Sequence, residues 1–453
     1  MEMLARHTVA FATLGCKLNF AETSTIAQSF AAAGYRRVSV NSPADVYVVN
    51  TCSVTEHSDK KCRNLIRKLH KLSPDALIGV TGCYAQLKPK EVLQIEGVSA
   101  LFGTAHRGEL FETLHRMLLE RKSDRAQNPG EERENEGKVQ ESDPGADKKL
   151  SLISPIEGVK SIFPAYSSGE RTRSFLKVQD GCNYRCSYCT VPLARGESRN
   201  IPISTLIRQA EEIASSGIVE IVLTGVNTGD FGKSTGESFL ELLKQLDRVE
   251  GIARYRISSI EPNLLTEEIV EWIVSGSKFL PHFHIPIQSG CDAVLERMRR
   301  RYTTAFFESR IQMVRDKMEP PGQRFSRVFF GIDVIVGFPG ESDEEFEQTY
   351  SFLEKIRPAF LHIFPYSRRA GTPAATMSDQ VQESVKRVRA IRLKELSDRL
   401  NAEFYAANRG RTLPVLFEST RRGGMMLGYT DNYIKVERPY DPVLIGRISQ
   451  VTL

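Results

Sequence analysis

The sequence predicts an α/β protein in three parts: an N-terminal parallel α/β domain, a central open barrel of six β/α units, and a small C-terminal β-barrel. Three observations predict it. Strand-like and helix-like apolar patterns alternate through residues 1–118 and again through residues 169–380. A charged stretch with almost nothing apolar, from Glu120 to Lys149, separates the two series. Short alternating segments take over in residues 409–453. At 453 residues the chain exceeds the size at which one hydrophobic core keeps growing. Its 41% apolar and 26% charged content is that of an ordinary globular protein. No run of about 18 apolar residues is present to cross a bilayer. The N-terminus enters an apolar run at once, without the basic flank and cleavage site of a signal peptide, so a cytoplasmic protein is expected.

In the first domain His7 to Leu14 reads as a strand, Ala21 to Ala33 as a helix and Asp45 to Asn50 as a second strand. Thr55 to His70 reads as a helix with apolar and basic faces, and Ala76 to Thr81 as a third, buried strand. Such alternation argues a parallel sheet covered by helices. A mobile linker is expected over 119–168, where the charged stretch cannot bury a core. Strands then follow at Ser174 to Gln179, Val219 to Thr224, Tyr255 to Ile260, His282 to Gln288, Val328 to Val336 and Phe360 to Pro365. Six β/α units joined by right-handed crossovers curl into part of a barrel, with the chemistry on its C-terminal rim. A charged helix, Ser384 to Ala407 within the linking segment 381–408, leads to the final module. There Thr412 to Phe417, Met425 to Tyr429, Tyr433 to Val436 and Ile445 to Val451 read as the strands of a small barrel.

The net charge of +5 does not by itself demand a polyanionic partner. From Lys386 to Leu453, however, 13 Lys or Arg stand against 7 Asp or Glu, an asymmetry that suggests a nucleic-acid face. Eight cysteines in a cytosolic chain read as metal ligands or buried thiols, not as a disulfide framework. Cys182, Cys186 and Cys189 have the spacing CxxxCxxC just after a predicted strand. Three thiolates in one loop suit a 4Fe-4S cluster with one open iron, whereas structural zinc wants a fourth protein ligand. Cys16, Cys52 and Cys83 are scattered, yet ATLGC, VVNTC and GVTGC each end a predicted strand, where the loops of a parallel sheet converge. By the same logic a second three-cysteine cluster is expected there. Cys62 and Cys291 are expected to be buried thiols.

The loop GCNYRCSYCTVPLARGESRN, with Tyr188 at an aromatic position, resembles the signature of radical S-adenosylmethionine enzymes. Together with TLGCKLNFAE, NTCSVTEHSDKK, RISSIEP, HIPIQSG, GFPGE and FPYSRRAGTPA, it is similar to the methylthiotransferase family over nearly the whole chain outside the linker. Within that family the motifs look like the branch that modifies N6-threonylcarbamoyladenosine beside the tRNA anticodon. GCKLN stands where the isopentenyladenosine branch has GCQMN, and a third branch acts on a ribosomal protein aspartate.

The resemblance implies two 4Fe-4S clusters, a radical one on Cys182, Cys186 and Cys189 and an auxiliary one on Cys16, Cys52 and Cys83. One molecule of S-adenosylmethionine then donates a methyl group to sulfur and a second is split to a 5′-deoxyadenosyl radical. Tyr188, Gly225, Asn227, Ser258, Ser259, Gln288, Asp333 and Phe364, in the cluster loop and along the barrel strands, are the expected S-adenosylmethionine contacts. The C-terminal module resembles a short TRAM domain. Arg195, Arg199, Arg409, Arg411, Arg421, Arg422 and Lys435 are the expected contacts to an anticodon stem-loop, with Tyr429 and Tyr433 supporting loop bases or packing in the core. An electron donor such as flavodoxin or ferredoxin and a sulfur source are implied as partners. A reading of another class, a non-catalytic iron-sulfur protein that binds RNA, predicts no cleavage of S-adenosylmethionine.

Overall fold

The computed structural model describes residues 7–127, 149–169, 171–319, 321–322 and 326–453. It divides into two compact units: Met1–Phe163 with Leu193–Gly196, and Pro164–Pro192 with Glu197–Leu453.

The first unit is built on six parallel strands: β1 (Thr8–Thr13), β2 (Arg36–Arg37), β3 (Val46–Thr51), β4 (Leu77–Gly82), β5 (Val98–Phe102) and β6 (Leu150–Leu152), in the order β2-β1-β3-β4-β5-β6. VYVVNT and LIGVTG, the central strands β3 and β4, are buried at every residue, as a parallel sheet covered on both faces requires. One face packs on Cys62, Ile66 and Leu69, the other on Ile26, Phe30, Leu110 and Leu114. Helix Glu56–Leu72 begins where the Thr55 side chain accepts a hydrogen bond from the Ser58 amide; it has acids in its first turn and His70 and Lys71 in its last. Helix Lys17–Ala32 starts four residues earlier than its apolar pattern predicts, because Cys16 already takes the N-cap position. That extra turn carries Asn19 into the interior.

The boundary also differs from expectation. Helix Leu110–Gln127 runs into the expected linker, and within 119–168 Leu150 and Leu152 pair with Ala100 and Phe102, adding a sixth strand where composition suggested only linker. The charged residues 128–148 lie outside the described residues.

In the second unit β7 (Ser174–Lys177), β10 (Glu220–Thr224), β11 (Arg254–Ile257), β12 (His282–Gln288), β13 (Phe329–Val336) and β14 (Phe360–Pro365) run parallel and in sequence. They form two three-stranded sheets bridged between Ser259 and His284. Among the described residues β7 and β14 do not pair, so the barrel is open as predicted. Two short antiparallel strands, β8 (Gln179–Asp180) and β9 (Arg199–Asn200), bracket the cysteine loop. GFPGE is a structural corner: the Glu341 carboxylate accepts from the Gly337 amide and pairs at 2.7 Å with Arg389 of the long helix Glu383–Ala406.

The C-terminal strands β15 (Thr412–Arg422), β16 (Met425–Thr430), β17 (Lys435–Pro439) and β18 (Ile448–Thr452) form an antiparallel sheet in the order β17-β16-β15-β18. The predicted small barrel is a half-barrel: no pairing joins β17 to β18 among the described residues. Too few strands are present to complete the circuit; the sheet bends at an irregularity between Phe417 and Arg421 over Val415, Phe417 and Met426. A buried charge cluster fastens it to the barrel. Glu220 receives Arg254, Arg256 at 3.0 Å and Arg173 at 3.7 Å. Arg256 donates in turn to the carbonyls of Thr430 and Asp431, and Arg254 to that of Tyr429. Tyr429 and Tyr433 stack on each other, with Arg173 over the first and Arg256 over the second. Of the two roles weighed for these rings, packing is the one they occupy.

Candidate active site

Three loops of the first unit bring Cys16, Cys52 and Cys83 together at the C-terminal ends of β1, β3 and β4. Gly15, at φ +115°, lies so close to the next loop that a Cβ would come within 2.9 Å of the Cys52 Cβ and 3.2 Å of its Sγ. Gly82, at φ +100°, would drive a Cβ to 2.3 Å from the Thr51 carbonyl oxygen. Only glycine satisfies both the positive φ and the approach. The Gly82→Ala variant is expected to lose about 1–3 kcal/mol and to bind less iron on reconstitution, read by thermal unfolding and iron analysis. Burial pushes the Cys52 thiol up to about 11, with the neighbouring Cys83 and Cys16 adding to the shift. The amide oxygen of Asn50 and the hydroxyl of Thr81, at the ends of β3 and β4, are buried with no hydrogen-bond partner among the described residues. Convergent sulfurs with polar atoms behind them are a donor set that fits a soft, anionic metal cluster.

Cys62 is a different kind of thiol. It is fully buried in the core, bonds the Cys52 carbonyl at 3.6 Å, and burial pushes it up to about 12. Cys291 is likewise buried, against Val294, Met298 and Phe338.

The second unit presents the loop Gly181–Cys189. Its sulfurs already accept hydrogen bonds: Cys182 from the Tyr184 amide and Cys189 from the Val191 amide, each at 3.4 Å, and Cys186 from Arg300 at 3.1 Å. Donors aimed at sulfur are what cluster thiolates require. Burial pushes Cys182 up to about 11 and Cys189 to about 12. Arg300 is buried between the Tyr302 hydroxyl and the Glu261 carboxylate. Burial works against its charge, yet Tyr188, Tyr302 and Glu261 hold its pKa above the ordinary arginine value. No sequence pattern marked Arg300, because it lies more than a hundred residues from the cysteine it serves. The Arg300→Met variant is expected to lower 5′-deoxyadenosine formation about 10- to 100-fold, checked by single-turnover assays on iron-matched protein.

Along the barrel rim, Gln179 is a second residue the sequence did not reveal. Its side-chain oxygen accepts from the amides of Val226 and Asn227, and its nitrogen donates to the Gly181 carbonyl at 2.7 Å, tying the second rim turn to the cysteine loop. Gly225 leaves room for it, since a Cβ would lie 2.9 Å from that oxygen. The Thr224 hydroxyl, the Asn227 amide nitrogen and the Ser258 hydroxyl are buried and lack a hydrogen-bond partner among the described residues. These atoms at neighbouring strand ends fit a polar ligand. The Ser259 carbonyl is taken by Thr228, and Gln288 sits at φ 75° where β12 slips register. Tyr188 lies edge-on to Phe338 with Arg300 at its hydroxyl, and Phe364 is exposed at the rim. Asp333 pairs with His284 Nε2 at 2.5 Å, and His362 stands beside the pair at a ring distance of 4.8 Å.

The expected RNA contacts divide. Arg409, Arg421, Arg422 and Lys435 are exposed, with Lys435 paired to Glu437. Arg411 is held by the Ser326 carbonyl and Asn408. Arg195 and Arg199 are corrected: both are buried, Arg199 bonding the Glu197 carbonyl and Arg195 the Glu22 carboxylate. Both are withdrawn from solvent, and Arg195 shares the single carboxylate of Glu22 with Arg107, so neither is a surface cation.

Residues 8–103 match an uncharacterized protein family, UPF0004, and residues 176–353 the radical SAM superfamily. Over 98% of its length and 93% of the relative's, the chain is 41% identical to the threonylcarbamoyladenosine tRNA methylthiotransferase MtaB of Bacillus subtilis. The chain belongs to the radical SAM methylthiotransferase family, of the MtaB type. This methylthiotransferase is also 36% identical to the MtaB enzyme of Aquifex aeolicus, over 95% of this chain and 96% of that one. It is 31% identical to the tRNA-2-methylthio-N(6)-dimethylallyladenosine synthase of Carboxydothermus hydrogenoformans, over 92% and 89%. Among solved structures its fold resembles a radical S-adenosylmethionine methyltransferase from Kitasatospora setae, at a TM-score of 0.53 and 15% identity, covering 82% of this chain and 77% of that one.

Proposed function

We propose that this methylthiotransferase replaces the hydrogen on carbon 2 of N6-threonylcarbamoyladenosine, next to the tRNA anticodon, with a methylthio group. The observation that carries the reading is two separate sets of three cysteines, one per folded unit, in a chain that aligns along almost its whole length with enzymes of that name. Cys182, Cys186 and Cys189 hold one 4Fe-4S cluster and Cys16, Cys52 and Cys83 the other. Loaded with both clusters and S-adenosylmethionine, the site supplies an adenosyl radical to activate the C–H bond and a methylated sulfur to replace the hydrogen.

The chain's own residues place and shield these groups. Arg300, oriented by Glu261, sets the charge beside Cys186. Thr224, Asn227 and Ser258 offer their spare polar atoms to S-adenosylmethionine, and Gly225 lets the backbone approach it. Tyr188, Ser259, Gln288, Asp333 and Phe364 complete the cofactor surface. Arg409, Arg411, Arg421, Arg422 and Lys435 on the TRAM-like half-barrel meet the anticodon stem, where exposed cations attract phosphate. A flavodoxin- or ferredoxin-type donor and a sulfur source serve it in the cytoplasm; no described helix is long and apolar enough to cross a membrane.

The test is anaerobic reconstitution with iron and sulfide, then incubation with S-adenosylmethionine, reductant and tRNA bearing threonylcarbamoyladenosine. Mass spectrometry is expected to find 5′-deoxyadenosine and 2-methylthio-threonylcarbamoyladenosine. Turnover only of isopentenyladenosine tRNA, or of a ribosomal protein, would replace the substrate. Absence of any cleavage by fully loaded protein would favour the non-catalytic reading.

A further inference from the structure

Four residues after the last cysteine of the loop Cys182–Cys189, the chain enters the N-terminal unit. Residues Leu193–Gly196 fold as part of that unit, where the Thr104 hydroxyl bonds the Ala194 carbonyl at 2.7 Å. Arg195 is 2% exposed. Its guanidinium reaches the Glu22 carboxylate at 3.1 Å, which also receives Arg107 at 3.0 Å, and it donates to the Asn19 side-chain oxygen at 2.6 Å.

Asn19 is what makes this arrangement more than a buried salt bridge. With its oxygen engaged by Arg195, its amide nitrogen points to the carbonyls of Leu14 at 2.9 Å and Thr51 at 3.0 Å. Those two carbonyls belong to the loops that present Cys16 and Cys52. The same Asn19 oxygen lies 3.8 Å from the Cys16 sulfur. Arg195 therefore fixes the orientation of an amide that stitches the two loops, and it places a cation one side chain away from Cys16. Replacing a neutral amide flip by a fixed one costs little energy in itself; here it decides which atom faces sulfur.

We propose that Arg195 is a positioning residue of the N-terminal cluster: through Asn19 it holds the Cys16 and Cys52 loops in place, and its charge stabilises the more negative, reduced form of the cluster they bear. The inference rests on the reading of Cys16, Cys52 and Cys83 as cluster ligands. Net charge and hydrogen bonding close to the sulfurs are established determinants of iron-sulfur potentials, and outer partners of metal ligands control retention as well as activity.

The test uses the full chain with Cys182, Cys186 and Cys189 replaced by alanine, so that only the N-terminal cluster contributes. Iron and sulfide are reconstituted anaerobically, and the cluster is followed by iron content and by potentiometric electron paramagnetic resonance. In this background Arg195→Gln, which keeps a donor to Asn19 without the charge, is expected to shift the midpoint potential to more negative values. Arg195→Lys is expected to move it back toward the parent. Should Arg195→Gln fold, as judged by circular dichroism, yet lose its cluster while Arg195→Lys retains it, the assignment is equally supported. Identical potentials in all three proteins would overturn the role of Arg195 and leave the cysteine reading standing. A folded background protein that binds no cluster would overturn both.

Discussion

The Cys83→Ala variant is expected to split S-adenosylmethionine to 5′-deoxyadenosine still, but to deliver no methylthiolated tRNA. The expectation follows from the separation of the two cysteine sets. Cys83 belongs to the first unit, at the end of β4, and its loop is shaped by Gly82 and Thr51. The Cys182 loop belongs to the second unit and draws its donors from Tyr184, Val191 and Arg300. Removing the Cys83 sulfur takes away none of these three donors. Quantifying 5′-deoxyadenosine and modified nucleoside in the same reaction checks it, with Cys186→Ala as the converse control that loses both products. Loss of both products in a folded Cys83→Ala protein would show that the two sets do not act separately.

The second large effect is structural. Glu220→Gln is expected to destabilise the second unit by about 3–5 kcal/mol, because three guanidinium groups lose the carboxylate that all of them share among the described residues. The surrounding arginines hold the Glu220 carboxyl below its ordinary range despite burial, which itself works in the opposite direction. In a domain of this size the loss is read as a fall in melting temperature on the order of 10 °C. Adding Arg254→Met to the variant is expected to recover part of it, since one uncompensated buried charge is then gone. A change of only a degree or two would mean that the cluster is solvated well enough to tolerate the imbalance.

Much of this protein is legible in its local sequence. Largely apolar runs such as VYVVNT and FFGIDVIV announce buried parallel strands, since only a covered sheet accepts side chains of that kind on both faces. The edges of β12 and β14 agree with the pattern to the residue. Cysteine spacing, and the recurrence of a cysteine at strand ends, marked both candidate clusters, because ligand type and the convergence of loops at one sheet edge are properties of short segments. What the sequence alone did not determine are interactions whose partners lie far apart along the chain. LARGESRN reads as an exposed basic loop, and only the fold shows Arg195 buried and paired with Glu22, 173 positions earlier. Arg300 and Cys186 meet across 114 positions. Leu150 and Leu152 look too brief to form a strand until β5 supplies an edge, and the closure of the C-terminal sheet depends on pairing between strands that no local pattern records. Charge, burial and hydrogen bonding are set by the neighbours a side chain finds in three dimensions. Residue type predicts the chemistry available, and the tertiary structure decides where that chemistry is used.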